Sequence, residues 1–195
     1  GTYLNRKVKM LPHIYLKEYE RSIYIDANVL LLCSPLKLIS YLSNHNFVLF
    51  QHPYKHTFLR EIKENLNHKK INEIIYYEIL SKHSNFIFFN IASRSPISAN
   101  RILIRNHNNK DLIKLMNRWW YDFSNTNLNR DQLILPYLLF SNINKIKIIV
   151  PKKSYTKYFI IRPHKNQSLI IKLKYFLKFS IIEFLTRIIV KIKKF

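Results

Sequence analysis

Two short runs carry residue types that could do chemistry. Asp26-Ala27-Asn28 closes the stretch Ser22-Ile23-Tyr24-Ile25-Asp26, whose Ile23 and Ile25 share one face of a predicted strand. A strand ending in Asp-x-Asn sets two oxygen-bearing side chains at the carboxyl end of a sheet, where open α/β sheets bind ligands. An Asp oxygen and an Asn carbonyl are hard ligands, suited to Mg²⁺ or Mn²⁺. Such an ion could bridge the diphosphate of a sugar nucleotide and stabilise it as a leaving group. The same run also fits a polar strand end closed by an Asx-turn. Arg130-Asp131-Gln132 opens a predicted helix. There Asp131 is either a cap favoured by the helix dipole or a carboxylate that deprotonates or orients a sugar hydroxyl. Arg130 is placed to neutralise phosphate.

The histidines form no metal constellation, since no His-x-x-x-His pair has a third ligand in view. His52-Pro53 and Arg105-Asn106-His107 each follow a predicted strand, the position a site would take. His52, Arg105 and His107 therefore join Arg130 and Gln132 as substrate-binding candidates, with a solvated loop role as the alternative for His107. Trp119-Trp120 falls at helical spacing with Leu115 and Met116 and reads as core rather than as a sugar platform.

The elements that must hold these residues alternate along the chain. A short helix is expected between Arg6 and Tyr19, interrupted near Pro12. Ser34-Pro35 opens another, with Ser as N-cap and Pro in the first turn. Phe47-Val48-Leu49-Phe50 reads as a buried strand stopped by His52-Pro53. Helices are expected from Thr57 to Asn67 and from Ile71 to Lys82. A third strand is expected at Phe86-Ile87-Phe88-Phe89 and a fourth at Arg101–Arg105. Asn109 then caps a strongly amphipathic helix, Asn129 a second one over Arg130–Phe140, and Lys147–Val150 closes as a strand. Strands alternating with helices predict an α/β fold with a largely parallel sheet.

Composition bounds the rest. The chain has 195 residues, enough for one domain with a sizeable core. Its one glycine is Gly1, which excludes every glycine-built phosphate loop and nucleophile elbow. Cys33 is the one cysteine, so neither a disulfide framework nor a Cys-based zinc site is available. The net charge is +22, and residues 151–195, with 12 basic residues against Glu183, carry half of it. Such a surface favours anionic partners, although a sequence this rich in Lys, Asn and Ile also has a compositional source for its charge. Pro151 marks a boundary, so residues 1–150 are expected to form the domain and 151–195 a basic tail. From Gln167 to Phe195 apolar residues dominate. Lys172, Glu183, Arg187, Lys191 and Lys194 fall in one sector about 100° wide at helical spacing. That pattern suits a helix lying on an anionic membrane rather than spanning it, or a helix docked on the protein's own core.

Several blocks, in order, resemble a glycosyltransferase-like family that includes plant seed-mucilage synthesis proteins and bacterial surface-polysaccharide cluster proteins. They begin with Lys9-Met10-Leu11-Pro12-His13-Ile14-Tyr15-Leu16, Glu18-Tyr19 and Ser22–Asn28. They continue through Phe50-Gln51-His52-Pro53, Ile102-Leu103-Ile104-Arg105-Asn106-His107-Asn108, Leu115-Met116 and Trp119-Trp120. They end at Arg130-Asp131-Gln132-Leu133 with Pro136-Tyr137. The resemblance implies a GT-A type sheet with flanking helices, Asp26 and Asn28 as metal ligands, and Asp131 as a catalytic residue. It departs from the family where Ala27 replaces a glycine, and where Ile97-Ser98-Ala99-Asn100-Arg101 lacks the usual acid. An acidic motif as early as residue 26 implies that the first nucleotide-binding strands are absent from this chain.

These readings converge on a glycosyltransferase using a divalent metal, Mn²⁺ or Mg²⁺. It would move a sugar from a nucleotide-sugar donor to a glycan or lipid-linked acceptor. The expected location is cytoplasmic, peripheral on the inner face of the membrane. The alternatives are a non-catalytic basic protein binding anionic membrane or nucleic acid, and a degenerate transferase fold. No RNP, zinc-finger or helix-turn-helix signature supports nucleic acid.

Overall fold

The computed structural model describes residues 2–52, 57–93, 97–126, 128, 130–140, 146–149, 158–162 and 177. The basic amphipathic tail read from Gln167 onward lies outside these residues except for Leu177. The fold is mixed α/β, a small sheet with helices on its faces.

The chain opens with helices α1 (Thr2–Met10) and α2 (Pro12–Tyr15), broken at Leu11 as the proline demands. Strands β1 (Ser22–Ile25) and β2 (Val29–Leu31) follow, then helix α3 (Pro35–Ile39). The Ser34 hydroxyl accepts the Leu36 amide and caps α3. Strand β3 (Phe47–Gln51) leads into three helices, α4 (Phe58–Asn67), α5 (Glu73–Lys82) and α6 (Ser84–Ser93). Thr57 caps α4 and Asn72 caps α5. Then come β4 (Ser98–Arg105), α7 (Lys110–Ser124, capped by Asn109) and α8 (Asp131–Phe140). Strands β5 (Ile146–Ile149) and β6 (Phe159–Ile161) complete the described elements.

The main sheet has the order β1-β4-β3-β5, and β2 pairs with β6 in a second, two-stranded sheet. It is not largely parallel. β4 runs antiparallel to both β1 and β3, and only the β3–β5 pairing is parallel. The expectation failed at the run Phe86–Phe89, which forms α6 instead of a strand. A short apolar run has no period that separates a strand from a helix. Here Phe86 packs against Phe58 and Phe140 at 5.0 and 5.5 Å between ring centroids, while Phe88 faces solvent. The elements described between β3 and β4 are therefore all helices, and β4 returns antiparallel.

Side chains alternate between the two faces along Phe47–Phe50 and Ile102–Ile104, as the two-residue period of a strand requires. Phe47, Leu49 and Leu103 face the larger core, which α4, α7 and α8 close with Phe58, Met116, Trp119 and Ile134. Val48, Phe50, Ile102 and Ile104 face the opposite side, covered by Leu38 and Leu42 and by Phe159 of β6. Trp119 is fully buried and Trp120 packs beside the same core, 4.9 Å from the Tyr3 ring. Residues 158–162, grouped with the tail by their charge, thus belong structurally to the body. Among the described residues no helix is long and apolar enough to cross a membrane.

Helix α4 ends in a Schellman motif: the Lys70 amide bonds the Asn65 carbonyl and the Lys69 amide bonds that of Leu66. Lys69 sits at φ 53°, the left-handed conformation that glycine adopts without cost. Lys69→Gly should raise unfolding stability by about 0.5–1 kcal/mol, and Lys69→Val should lower it, in denaturant titrations. The His83 ring stacks on Tyr137 with 3.8 Å between centroids, and burial, with the Lys82 charge, lowers its pKa from 6.5 to about 4. The unfolded chain takes up this proton below about pH 6.5, whereas the folded chain does not until about 4. Stability should therefore fall as pH drops through that window, by about 1–2 kcal/mol allowing for partial exposure. His83→Phe keeps the stack and should flatten that part of the profile.

Candidate functional site

The site grows from a buried lysine. Arg6 and Lys9 lie three residues apart on one face of α1. Lys9 is 1% exposed, and its ammonium lies 2.6 Å from Asp131 Oδ2 and 3.8 Å from Asp26 Oδ1. Arg6 Nη1 reaches the same Asp131 oxygen at 3.5 Å, and Arg6 Nε has no hydrogen-bond partner among the described residues. The Lys9 ammonium also sits 4.9 Å from the centroid of the Tyr24 ring, which attracts cations over its face. Burial, reinforced by the Asp26 charge and hydrogen bond, raises the Tyr24 pKa far above its ordinary value. Tyr24 is therefore a neutral hydroxyl at physiological pH.

Two elements bring the carboxylates to this lysine. Asp26 follows the last residue of β1, an edge strand rather than a central one, and its amide bonds the Arg101 carbonyl of β4. Asp131 is the first residue of α8 and is 6% exposed. The helix start is fixed to β4 by its neighbours. Asn100 Nδ2 donates to the Asp131 carbonyl at 3.3 Å, and the Asn100 amide donates to Gln132 Oε1 at 3.3 Å. Gln132 Nε2 donates to the Ser98 carbonyl. A register shift makes this possible. Leu49 pairs with Leu103 but Phe50 pairs with Ala99, so β4 bulges away from β3 and carries Asn100 to α8.

Around the Asp26–Lys9–Asp131 cluster lies a cleft of about 150 Å³. Arg6, Arg101 and Arg130 line it with Lys9, and Lys70 enters from the Schellman turn of α4. Glu61, Asn65, His52 and Gln132 complete the polar wall. Five cations against three carboxylates leave the lining net positive.

Of the residues expected at a site, Asp26, Asp131, Arg130, Gln132 and His52 line this one cleft. Both ends of the Gln132 amide are bonded to strand backbone, which makes it a brace for α8. The His52 amide donates to the Ile97 carbonyl. Arg105 and His107 stand elsewhere. Arg105 is buried in the sheet, where desolvation lowers its pKa to about 9, and its Nη1 donates to the Lys9 carbonyl at 2.5 Å. His107 is fully buried with Nε2 2.9 Å from the Leu16 carbonyl, and Asn108 holds the carbonyls of Lys17 and Tyr19. Their run thus staples the chain after α2 to the sheet, and Arg105 anchors the helix that carries Lys9.

Asn28 also points elsewhere. The Val29 amide bonds the Asp26 carbonyl, closing a turn that removes Asn28 from the face of Asp26. The Asn28 amide donates instead to the Arg162 carbonyl at 3.4 Å. Asp26 and Asn28 do not converge as a chelate, and an ammonium stands beside the one carboxylate of the pair. Among the described residues no group of three or more His, Cys, Asp or Glu is set to hold a metal ion. As arranged, these residues do not fit a protein-held divalent ion.

Sequence reasoning did not single out Lys9, Arg6 or Tyr24 as site residues. Lys9 and Tyr24 lie within runs that carry the family resemblance, and Arg6 precedes Lys9 by one helical turn; that placement was the available signal.

Among curated proteins and solved structures, none matches the chain. A family model described as the TOD1/MUCI70 glycosyltransferase-like domain matches residues 4–167, which include most of α1, the cleft and β6. The chain therefore belongs to the TOD1/MUCI70 glycosyltransferase-like family.

Proposed function

We propose that the chain is a glycosyltransferase that takes a nucleotide-sugar donor in the Asp26–Lys9–Asp131 cleft and transfers its sugar to an acceptor hydroxyl. The observation that carries this reading is a buried carboxylate, Asp131, at a net cationic cleft in a chain of a glycosyltransferase-like family. In the reaction the bond between the anomeric carbon and the diphosphate oxygen breaks, and the electron pair leaves with the nucleoside diphosphate. The acceptor oxygen forms the new bond to that carbon, and its proton passes to Asp131. Arg130, half-buried at the start of α8, faces the phosphates; Asp26 keeps Lys9 oriented and faces the sugar. Tyr24, held neutral, backs the lysine.

The acceptor class follows from charge rather than from the cleft. The basic amphipathic tail supports a peripheral place on the anionic inner face of a membrane, beside a lipid-linked or surface glycan acceptor.

Two measurements check this. Assayed against a panel of nucleotide sugars, the chain should release nucleoside diphosphate in the presence of glycan acceptors. Asp131→Asn should cut kcat by about 10²–10⁴-fold without raising donor KM, since the Lys9 ammonium then has no competing carboxylate at that position, with the fold checked by circular dichroism. Undiminished turnover in that variant would remove Asp131 from the chemistry. Separately, the chain should sediment with vesicles containing anionic lipid and not with purely zwitterionic ones, and replacing Lys172, Lys191 and Lys194 by Gln should weaken that binding. Equal binding to both vesicle types would contradict the membrane placement.

A further inference from the structure

The cleft has an electrostatic design that differs from the metal-bridged site the Asp-x-Asn run suggests. A divalent ion in a donor site neutralises the diphosphate and steadies it as it leaves. Here that position beside Asp26 is held by a lysine fixed from three directions. Its backbone carbonyl is held by the buried Arg105, its ammonium by Asp131 and Asp26, and its side chain lies over Tyr24. Burying an ammonium is costly unless it is paired, and a second cation placed next to it would be repelled. The partner meant to complete a chelate, Asn28, is turned to the Arg162 carbonyl. Meanwhile Arg6 and Arg130 line the same cleft, and Arg6 Nε is buried with no hydrogen-bond partner among the described residues.

We propose that the cleft holds the donor's diphosphate on its own cations, Lys9 with Arg6 and Arg130, instead of through a protein-held divalent ion. The identity of the anion as a donor diphosphate rests on the transferase reading above; the anion site itself does not. A diphosphate entering the cleft competes with Asp131 for the Lys9 ammonium. As Lys9 and Arg6 turn to phosphate oxygens, the Asp131 carboxylate is released toward the acceptor hydroxyl. Donor binding therefore arms the base, and the donor binds before the acceptor. When the anomeric bond breaks, the charge gathering on the leaving diphosphate falls on guanidinium and ammonium donors, which serve as fixed positive charge.

The test is calorimetric titration of the 195-residue chain with inorganic pyrophosphate in EDTA and, separately, with Mg²⁺. Binding in EDTA should have an affinity within about threefold of that with Mg²⁺, a difference under 1 kcal/mol. Lys9→Met alone strands Asp131, so the double variant Lys9→Met/Asp131→Asn, which removes both charges, keeps the comparison fair. It should weaken binding about tenfold or more, as should Arg130→Gln to a lesser degree, whereas Arg118→Gln, an exposed α7 residue paired with Asp122 and not among those lining the cleft, should not. Binding that requires Mg²⁺ or Mn²⁺ would overturn the proposal. So would equal binding by the double variant, which would mark a nonspecific effect of the chain's high positive charge. The two readings fail separately. Metal-free, Lys9-dependent binding without sugar transfer from any donor would sink the transferase and leave the anion site. Transfer with metal-dependent binding would do the reverse.

Discussion

The structure around the cleft depends on one buried charge. Lys9 sits inside the protein because Asp131 meets its ammonium at 2.6 Å and Asp26 stands behind it at 3.8 Å. Each partner comes from a different part of the chain, so this one contact ties α1, the end of β1 and the start of α8 together. Desolvating such a group is costly, and breaking one partner of a buried pair is typically worth about 3–5 kcal/mol. The hydrogen bonds from Arg105 to the Lys9 backbone, and from Asn100 and Gln132 between β4 and α8, hold the geometry that makes the pairing possible. Replacing a buried ion pair by well-packed apolar residues is often neutral or stabilising, so stability alone does not account for this one. The charges are explained by what they present to the cleft.

The bulge in β4 is the structural device behind this arrangement. A regular β4 would keep pairing β3 after Leu103 and hold Asn100 in the ladder. The register shift frees Asn100 to brace α8, and it leaves Arg101 at the cleft wall with its carbonyl on the Asp26 amide. The absence of internal glycine gives the chain a particular cost. Its one positive φ among the described residues falls on Lys69, in the turn that delivers Lys70 to the same cleft.

Part of the lining of the candidate cleft was legible in the sequence, but by different routes. Asp26 followed from the strand alternation before it, and Asp131 from its place at a helix start. Lys9 and Arg6 were not legible, because a lysine on a short helix gives no local sign of burial; its partner lies 122 residues away. Asn28 was misplaced for a simple reason. Residues two apart share a face only while a strand continues, and β1 ends at Ile25 with a turn closing from Asp26 to Val29. Helices α3 and α7 were recovered through their caps, Ser34 and Asn109, which act over two or three residues. The sheet's direction was not, because it hung on four apolar residues, Phe86–Phe89, whose helical state is decided by packing on Phe58 and Phe140. The three-residue strands β2 and β6 are too short to show a period, and each exists through its pairing with the other.

The most direct measurement is a crystal structure of the chain with a nucleoside diphosphate bound from a solution containing EDTA. The account predicts diphosphate density between Lys9, Arg6 and Arg130, with the Lys9 ammonium drawn off Asp131 and the nucleoside directed out of the cleft. Diphosphate bound at another surface, or a Lys9–Asp131 contact unchanged beside an occupied cleft, would contradict it.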